Sequence, residues 1–446
     1  MTDVSVTAPA RGRDFPARVA ERLPYLTRDD DGRALLHGRD AGELLTQHGS
    51  PVLVLLPDRA ADNVRSVKAA FGEHFPDVSV HYAVKACYHA GVVLAAKDAG
   101  AGIEVMSGLE LQIARQLGFR ADQIVLNGLG RDEAYVRGCI DVPEALNVLD
   151  TWDDVDAIAR AAQQAQVVVD VAVRVTPWMP LELDGATPRD SKLGNHVDGE
   201  SFWRLLRAVT DNPWLNLRGL HGHQFTRAAS LEDYGHYLEG FADVVVEADK
   251  RGHRFAVLDI GGGFEARSAL EARGVRIDDF AAVAAEKLAV VPSGYRLVVE
   301  PGRYVAADAA VGLTKVRARK PRDGFTWQIV DLATNVLIPV PGAEYYPVVL
   351  QEDAGDRTTI ARIGDGTCAP STMCDDVELP DVRGGAGLAM LNCGAYTTVF
   401  SHVWGPRPPA VVSMDGDGVV EVVAGPAEFT AIAKAMYGYD LDLGAS

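Results

Sequence analysis

From residue 79 onward the chain carries short apolar runs, most of them roughly 20 to 40 residues apart: SVHYAV (79–84), GIEVM (102–106), QIVLN (123–127), ALNVL (145–149), VDVAVRV (169–175), LRGLHGHQF (217–225), FAVLDIGGG (255–263) and YRLVVEPG (295–302). Segments with apolar residues at helical spacing, such as GLELQIARQLGF and WDDVDAIARAAQQA, separate most of them. Strand alternating with helix predicts a parallel sheet, and eight such units predict a closed (β/α)8 barrel of TIM type. An open, doubly wound sheet has the same periodicity and is the alternative. After about residue 304 the pattern changes to AAVGLTKVRARK, FTWQIVDLA, YYPVVLQE, TTIARIG, AGLAMLNCGAY and PAVVSMDGDGVVEVVAG, with turn residues between them. That predicts an antiparallel β domain. The opening YLTRDDDGRALLHGRD reads as a hairpin able to join it. The expected organisation is a segment 1–48 belonging to the β domain, a barrel over 49–303 and a β domain over 304–446.

Composition narrows the class. The chain has 446 residues, 48% hydrophobic and 24% charged, and a formal charge of −19. An acidic excess of this size argues against nucleic acid or an anionic membrane as partner. No stretch has the length and apolarity of a signal peptide or a membrane span. The five cysteines, Cys87, Cys139, Cys368, Cys374 and Cys393, are odd in number and dispersed, which predicts reduced thiols in a cytoplasm. Cys368 and Cys374 have no matching pair elsewhere, so no structural zinc site is expected.

The polar residues acquire meaning from the strands. Lys85, Glu104, Asn127, Arg174, His223, Gly261 to Gly263 and Glu300 all fall at or just past the C-terminal end of a predicted strand, which in a barrel is the catalytic face. Lys85 follows a strand in HYAVKACYH; such a lysine either snorkels to the surface or serves as an amine nucleophile toward a carbonyl. Pyridoxal phosphate is such a carbonyl. The glycine run in DIGGGF offers amides to a phosphate, although three glycines also make a plain turn. His223 can stack on a ring, and with His221 it has the rival reading of a metal pair, for which no third ligand has suggestive spacing. Glu300 in EPGR can hold a pyridine nitrogen protonated, or can pair with Arg303 at a surface turn.

Taken in order, YAVKA (82–86), GIEVMSGLEL (102–111), IVLNGLGR (124–131), VRVTP (173–177), SKLGN (191–195), GLHGH (219–223), DIGGGF (259–264), EPGR (300–303) and GAYT (394–397) resemble the fold-type III pyridoxal-phosphate decarboxylases, the group of diaminopimelate and ornithine decarboxylases. The resemblance implies pyridoxal 5'-phosphate as cofactor, a Schiff base on Lys85, His223 stacked on the ring and Glu300 at the pyridine nitrogen. It places Gly261, Gly262, Gly263, Gly302, Arg303 and Tyr396 around the phosphate, with Thr226 where the family has serine. It implies an alanine racemase-like barrel with a β domain, and a head-to-tail homodimer whose sites each take a cysteine from the partner subunit. Alanine racemase has an arginine at the pyridine nitrogen, so Glu300 favours decarboxylation over racemisation.

Relatives carry an acid directly after that cysteine. Aligning Cys368 puts Ala369 there; aligning Cys374 puts Asp375 there but shortens the spacing to Leu379-Pro380, and Cys368 is the preferred register. At NVLIPVPGAEYYP (335–347) the Arg-Pro of diaminopimelate decarboxylases is replaced by Ile338-Pro339, removing a bidentate carboxylate partner. Phe225-Thr226 replaces glycine-serine. The expected function is decarboxylation of an unusual amino acid or amino-acid conjugate, as in siderophore or antibiotic assembly. Diaminopimelate, ornithine or lysine are the alternative substrates, and a racemase or a non-catalytic regulator on the same fold is the alternative beyond them.

Overall fold

The computed structural model describes residues 12–177, 191–228, 230–337, 343–352, 357–370, 372–401 and 404–440. They fall into two compact units, one of residues 59–270 and 275–306, the other of residues 1–58, 271–274 and 307–446.

In the first unit, eight parallel strands close on themselves. In chain order they are β1 (Val78–Ala83), β2 (Gly102–Val105), β3 (Ile124–Leu126), β4 (Leu146–Leu149), β5 (Val169–Thr176), β6 (Leu215–Gly222), β7 (Val257–Asp259) and β8 (Arg296–Val299). Each pairs with the next, β4 pairs with β5, and β8 returns to β1 through Leu297↔Val78 and Val299↔Val80. All eight predicted runs are strands of the barrel, and the open-sheet alternative is excluded by the β8–β1 pairing. A short strand, Asn195–His196, adds in parallel to the end of β5.

Local chemistry sets where the helices begin. Thr151 caps the helix Trp152–Ala165: its Oγ1 accepts from Asp154 N at 3.0 Å, and Asp154 Oδ2 accepts from Thr151 N at 3.0 Å. This reciprocal pair satisfies two backbone donors that the first turn leaves open. Ser107 caps Gly108–Gln116 one way only, its side chain accepting from Glu110 N.

Inside the barrel, Val125, Val148, Ala172 and Val298 form a small apolar cluster, with Val257 against it. Successive strand residues point to opposite faces, so the residue two further on shares the face one step nearer the strand's end. Those residues are Asn127, Asp150, Arg174, Glu300 and Asp259. A dry plug of small side chains therefore underlies a polar layer at the C-terminal mouth.

The second unit is a mixed sheet rather than the purely antiparallel one expected. Its long strand β9 (Ala310–Arg322) pairs antiparallel with Phe325–Val330, with Gly387–Leu391 and with Val52–Leu55. Two pairings are parallel: Phe325–Val330 with Thr358–Asp365, and Ala410–Met414 with Val52–Leu55. Val52–Leu55 lies beyond the boundary expected at residue 49 but belongs to this sheet. Four consecutive buried apolar residues suit any strand covered on both faces, in either sheet. The opening hairpin forms a separate three-stranded sheet, Leu26–Arg28, Ala34–Leu36 and Arg39–Asp40. Among the described residues no helix is long and apolar enough to cross a membrane.

Candidate active site

The mouth of the barrel is organised by one chain of polar contacts. Lys85 lies on a single helical turn, Val84–Ala86, directly after β1, and its Nζ donates to Glu104 Oε2. Its side chain is 26% exposed while that of Glu104 is buried, so the amine can be reached from outside although its counterion cannot. Asn127 Nδ2 donates to Glu104 Oε1 at 2.9 Å and to Glu300 Oε1 at 3.0 Å. Glu300 Oε2 in turn lies 3.2 Å from His221 Nε2. Strands β1, β2, β3, β6 and β8 thus each contribute one member to an unbroken series.

The electrostatics follow from these neighbours. Burial by itself raises the proton affinity of Glu300, but His221, with Lys85 and His223 behind it, outweighs burial and holds the carboxyl well below the usual carboxylate range. Asp259 shows the opposite outcome. Burial first, then the adjacent Glu300 charge, push it well above its ordinary value. Among the described residues His221, Asp259 and Glu300 offer ligand atoms within 4.8 Å of one another, a group that contains His221 but not His223, so it is not the histidine pair weighed from the sequence. Both Glu300 oxygens already have partners, however, and Asp259 Oδ1 accepts from Gly261 N. That donor set suits hydrogen bonding better than a divalent cation.

His223 is half-buried at the end of β6, and its Nδ1 accepts from Gly262 N at 3.0 Å. Desolvation, reinforced by the Arg174 guanidinium, pushes the imidazole down to about 3, so its ring is neutral at ordinary pH. Gly262 is required by close approach: a Cβ there would fall 2.0 Å from the carbonyl oxygen of Glu300. Gly261 N donates to Asp259 Oδ1, and Ala228 N donates to Gly263 O at 2.7 Å, which lays the segment after His223 along the glycine run. Thr226 in that segment is exposed. Gly302 is buried and accepts from Val305 N, starting the short helix on which Arg303 sits, 7% exposed and 4.0 Å from buried Glu265.

The first unit therefore holds Lys85, His223, Thr226, Gly261 to Gly263, Glu300, Gly302 and Arg303. Tyr396, Cys368 and Cys374 belong to the second. Tyr396 has a left-handed backbone (φ 58°), a conformation that costs a non-glycine residue energy, and its ring stacks 6.2 Å from Phe400. Cys368 is exposed in the loop following Thr358–Asp365, where Asp365 accepts from Thr367 and Thr334. Cys374 is half-buried at the start of the strand Cys374–Pro380, opposite Ile363. Ile338 and Pro339 lie outside the described residues. Sequence reasoning placed Glu104 and Asn127 at strand ends without giving them a task. It passed over Asp259, and it weighed His221 only as a metal ligand. The available signal was the two-residue step from each small apolar plug residue to a polar one.

A pyridoxal ring fits these residues. A reachable amine, an ionised buried carboxylate able to hold a ring N–H, a neutral imidazole face and closely packed glycine amides are its chemical requirements.

Comparison with known proteins agrees. The family described as pyridoxal-dependent decarboxylase, pyridoxal binding domain, matches residues 61–307. The diaminopimelate decarboxylase of Actinosynnema pretiosum subsp. auranticum is 31% identical over 415 residues, covering 90% of this chain and 92% of that protein. That of Aquifex aeolicus is 25% identical, covering 90% and 95%. The solved structure of diaminopimelate decarboxylase from M. jannaschii in co-complex with L-lysine superposes with a TM-score of 0.83 at 22% identity, covering 93% of this chain and 98% of that one. The lysine decarboxylase of Selenomonas ruminantium gives 0.71 at 22%, covering 84% and 95%. At these identities the two structures speak for the fold, and the sequence relatives carry the chemistry. The chain belongs to the fold-type III pyridoxal-phosphate-dependent amino-acid decarboxylases.

Proposed function

We propose that this enzyme decarboxylates diaminopimelate, removing the carboxylate beside the amine that engages the cofactor. The observation that carries the reaction type is Glu300, buried and ionised in the mouth that also holds Lys85. The relatives support the substrate: they are diaminopimelate decarboxylases matched over nearly their whole length, which favours this alternative over the expected role in siderophore or antibiotic assembly.

Pyridoxal phosphate, when bound, supplies an aldehyde for the substrate's α-amine and a ring that spreads the electron pair left by departing CO2. Lys85 would hold the aldehyde. Glu300 would keep a proton at the ring nitrogen. His223, its Nδ1 occupied by the Gly262 N–H, presents a neutral ring face. The amides of Gly261 to Gly263, with Gly302, Arg303 and the Thr226 hydroxyl, would hold the phosphate; Tyr396 is the second unit's candidate for the same group. Cys368, from a second copy of the chain in a homodimer, delivers a proton to the α-carbon once CO2 has left.

Exposure in a loop supports Cys368 for that task over Cys374, which is held in a strand. Asp376, near the alternative Cys374-Asp375 register, is engaged by Arg362 Nε at 2.7 Å. Cys368→Ala is expected to slow amine formation at least about tenfold and to raise the share of turnovers ending in pyridoxamine phosphate. Cys374→Ala should do neither. The reverse pattern in product analysis would transfer the proton donor to Cys374.

Ala369 favours a second reading, a substrate without a distal ammonium, such as an amino-acid conjugate. The deciding measurement is CO2 release by the pyridoxal-phosphate-loaded protein from meso-diaminopimelate, ornithine, lysine and side-chain-acylated amino acids. Release from diaminopimelate with lysine formed is the expected result. Release confined to the acylated compounds would replace the first reading by the second.

A further inference from the structure

Asn127 holds a position that no step of the chemistry above uses. Its backbone is pinned on both sides: its N–H donates to Val105 O at 2.7 Å, and its carbonyl accepts from Tyr135 Oη at 2.6 Å. Gly128 follows with φ +110°, and a Cβ there would lie 2.5 Å from Met106 O, so this turn admits little adjustment. The fixed backbone aims one side-chain nitrogen between two buried carboxylates whose strands, β2 and β8, are far apart in sequence. An amide nitrogen has two hydrogens, and here each serves one carboxylate, Glu104 at 2.9 Å and Glu300 at 3.0 Å. The orientation is set by chemistry: turning the amide over would bring its oxygen against two anions. Asn127 Oδ1 is left buried without a hydrogen-bond partner, so the side chain acts here as a double donor only.

We infer that Asn127 is a positioning residue whose single amide nitrogen holds Glu104 and Glu300 in register and offsets part of their negative charge, and so sets how readily Lys85 gives up its proton. Among the described groups that act on Lys85 are Glu104, Glu110 on the helix after β2, His223 after β6 and Glu300 after β8. Glu110 has its own donors, Tyr88 Oη and Met106 N, each at 2.7 Å, and His223 has Gly262 N. Replacing Asn127 therefore leaves those two intact and strips a donor only from the carboxylates. Anions with fewer donors hold nearby protons more tightly. An ammonium beside them is then slower to become the free amine that attacks an aldehyde.

The inference rests on Lys85 being the amine that takes the cofactor, and its test needs no cofactor. Trace acetylation of the cofactor-free protein at fixed pH, read on the peptide spanning residue 85, reports the fraction of Lys85 present as free amine. In Asn127→Leu and Asn127→Asp that labelling should fall about tenfold, one unit on the pH axis, and further in Asn127→Asp, where a third acid replaces the donor. Lysines outside the mouth serve as internal references. A merely structural asparagine would loosen the mouth when replaced and expose Lys85, so labelling would rise. Unchanged or faster labelling in both variants overturns the inference. If Asn127→Leu fails to fold, the near-isosteric Asn127→Asp decides alone. Failure of the wild-type protein to capture pyridoxal phosphate on Lys85 would count against the cofactor assignment and not against this electrostatic coupling.

Discussion

Lys85→Ala is expected to abolish covalent capture of pyridoxal phosphate and to reduce decarboxylation to background. Borohydride reduction followed by peptide mapping should find the modified residue on the wild-type peptide spanning position 85 and nowhere in the variant. The expectation rests on access and setting: the Lys85 side chain is partly exposed at the mouth, in contact with buried Glu104. Lys85→Arg separates nucleophilicity from charge. A guanidinium can keep the ion pair with Glu104, yet it stays protonated and does not condense with an aldehyde. It should therefore fold like the wild type and still fail to capture the cofactor. Capture on any other lysine would remove Lys85 from its role.

Glu300→Gln should cut decarboxylation by about a hundredfold or more while the cofactor remains bound, each tenfold corresponding to about 1.4 kcal/mol of barrier. Glutamine keeps the shape of the side chain and loses its charge, so the ring nitrogen has no anion to hold its proton. Bound phosphate and cofactor absorbance would verify loading, and single-turnover rates would locate the defect in the chemical step. The His221 contact, with the charge of Lys85 behind it, outweighs burial and holds the Glu300 carboxyl below the ordinary range. An acid limb in the wild-type rate above about pH 5 would therefore belong to a different group. A near-normal rate in Glu300→Gln would show that ring protonation does not depend on this residue.

How much of this was open to a reader of residues alone depends on the distance over which each feature is encoded. The eight barrel strands were legible because each is a contiguous apolar run with its own turn residues, and Lys85, His223 and Glu300 because they stand at the ends of those runs. Barrel closure was not, since Leu297↔Val78 joins strands that periodicity treats as the two ends of a list. Val52–Leu55 could not be assigned, because VLVL suits burial in either sheet and only its partners differ. The parallel pairing of Phe325–Val330 with Thr358–Asp365 was hidden for the same reason, as alternation does not encode direction. The contacts of Asn127 were illegible at the level of roles: Glu300 is 173 positions away, and no local spacing announces that the two meet.

The placement of Val52–Leu55 also bears on how the protein is made. This strand leaves the ribosome before any part of the barrel, yet its two neighbours, Ala310–Arg322 and Ala410–Met414, are translated only after the barrel's last strand. All eight barrel strands can pair while synthesis continues, whereas an apolar strand destined to be buried waits with both edges bare. The nascent chain then resembles a finished barrel carrying an adhesive leader. Chains cut short after the barrel's last strand and before residue 310 should consequently collect in the insoluble fraction with their barrels assembled. Slower translation through the barrel would lengthen the interval in which a chaperone must shield that leader.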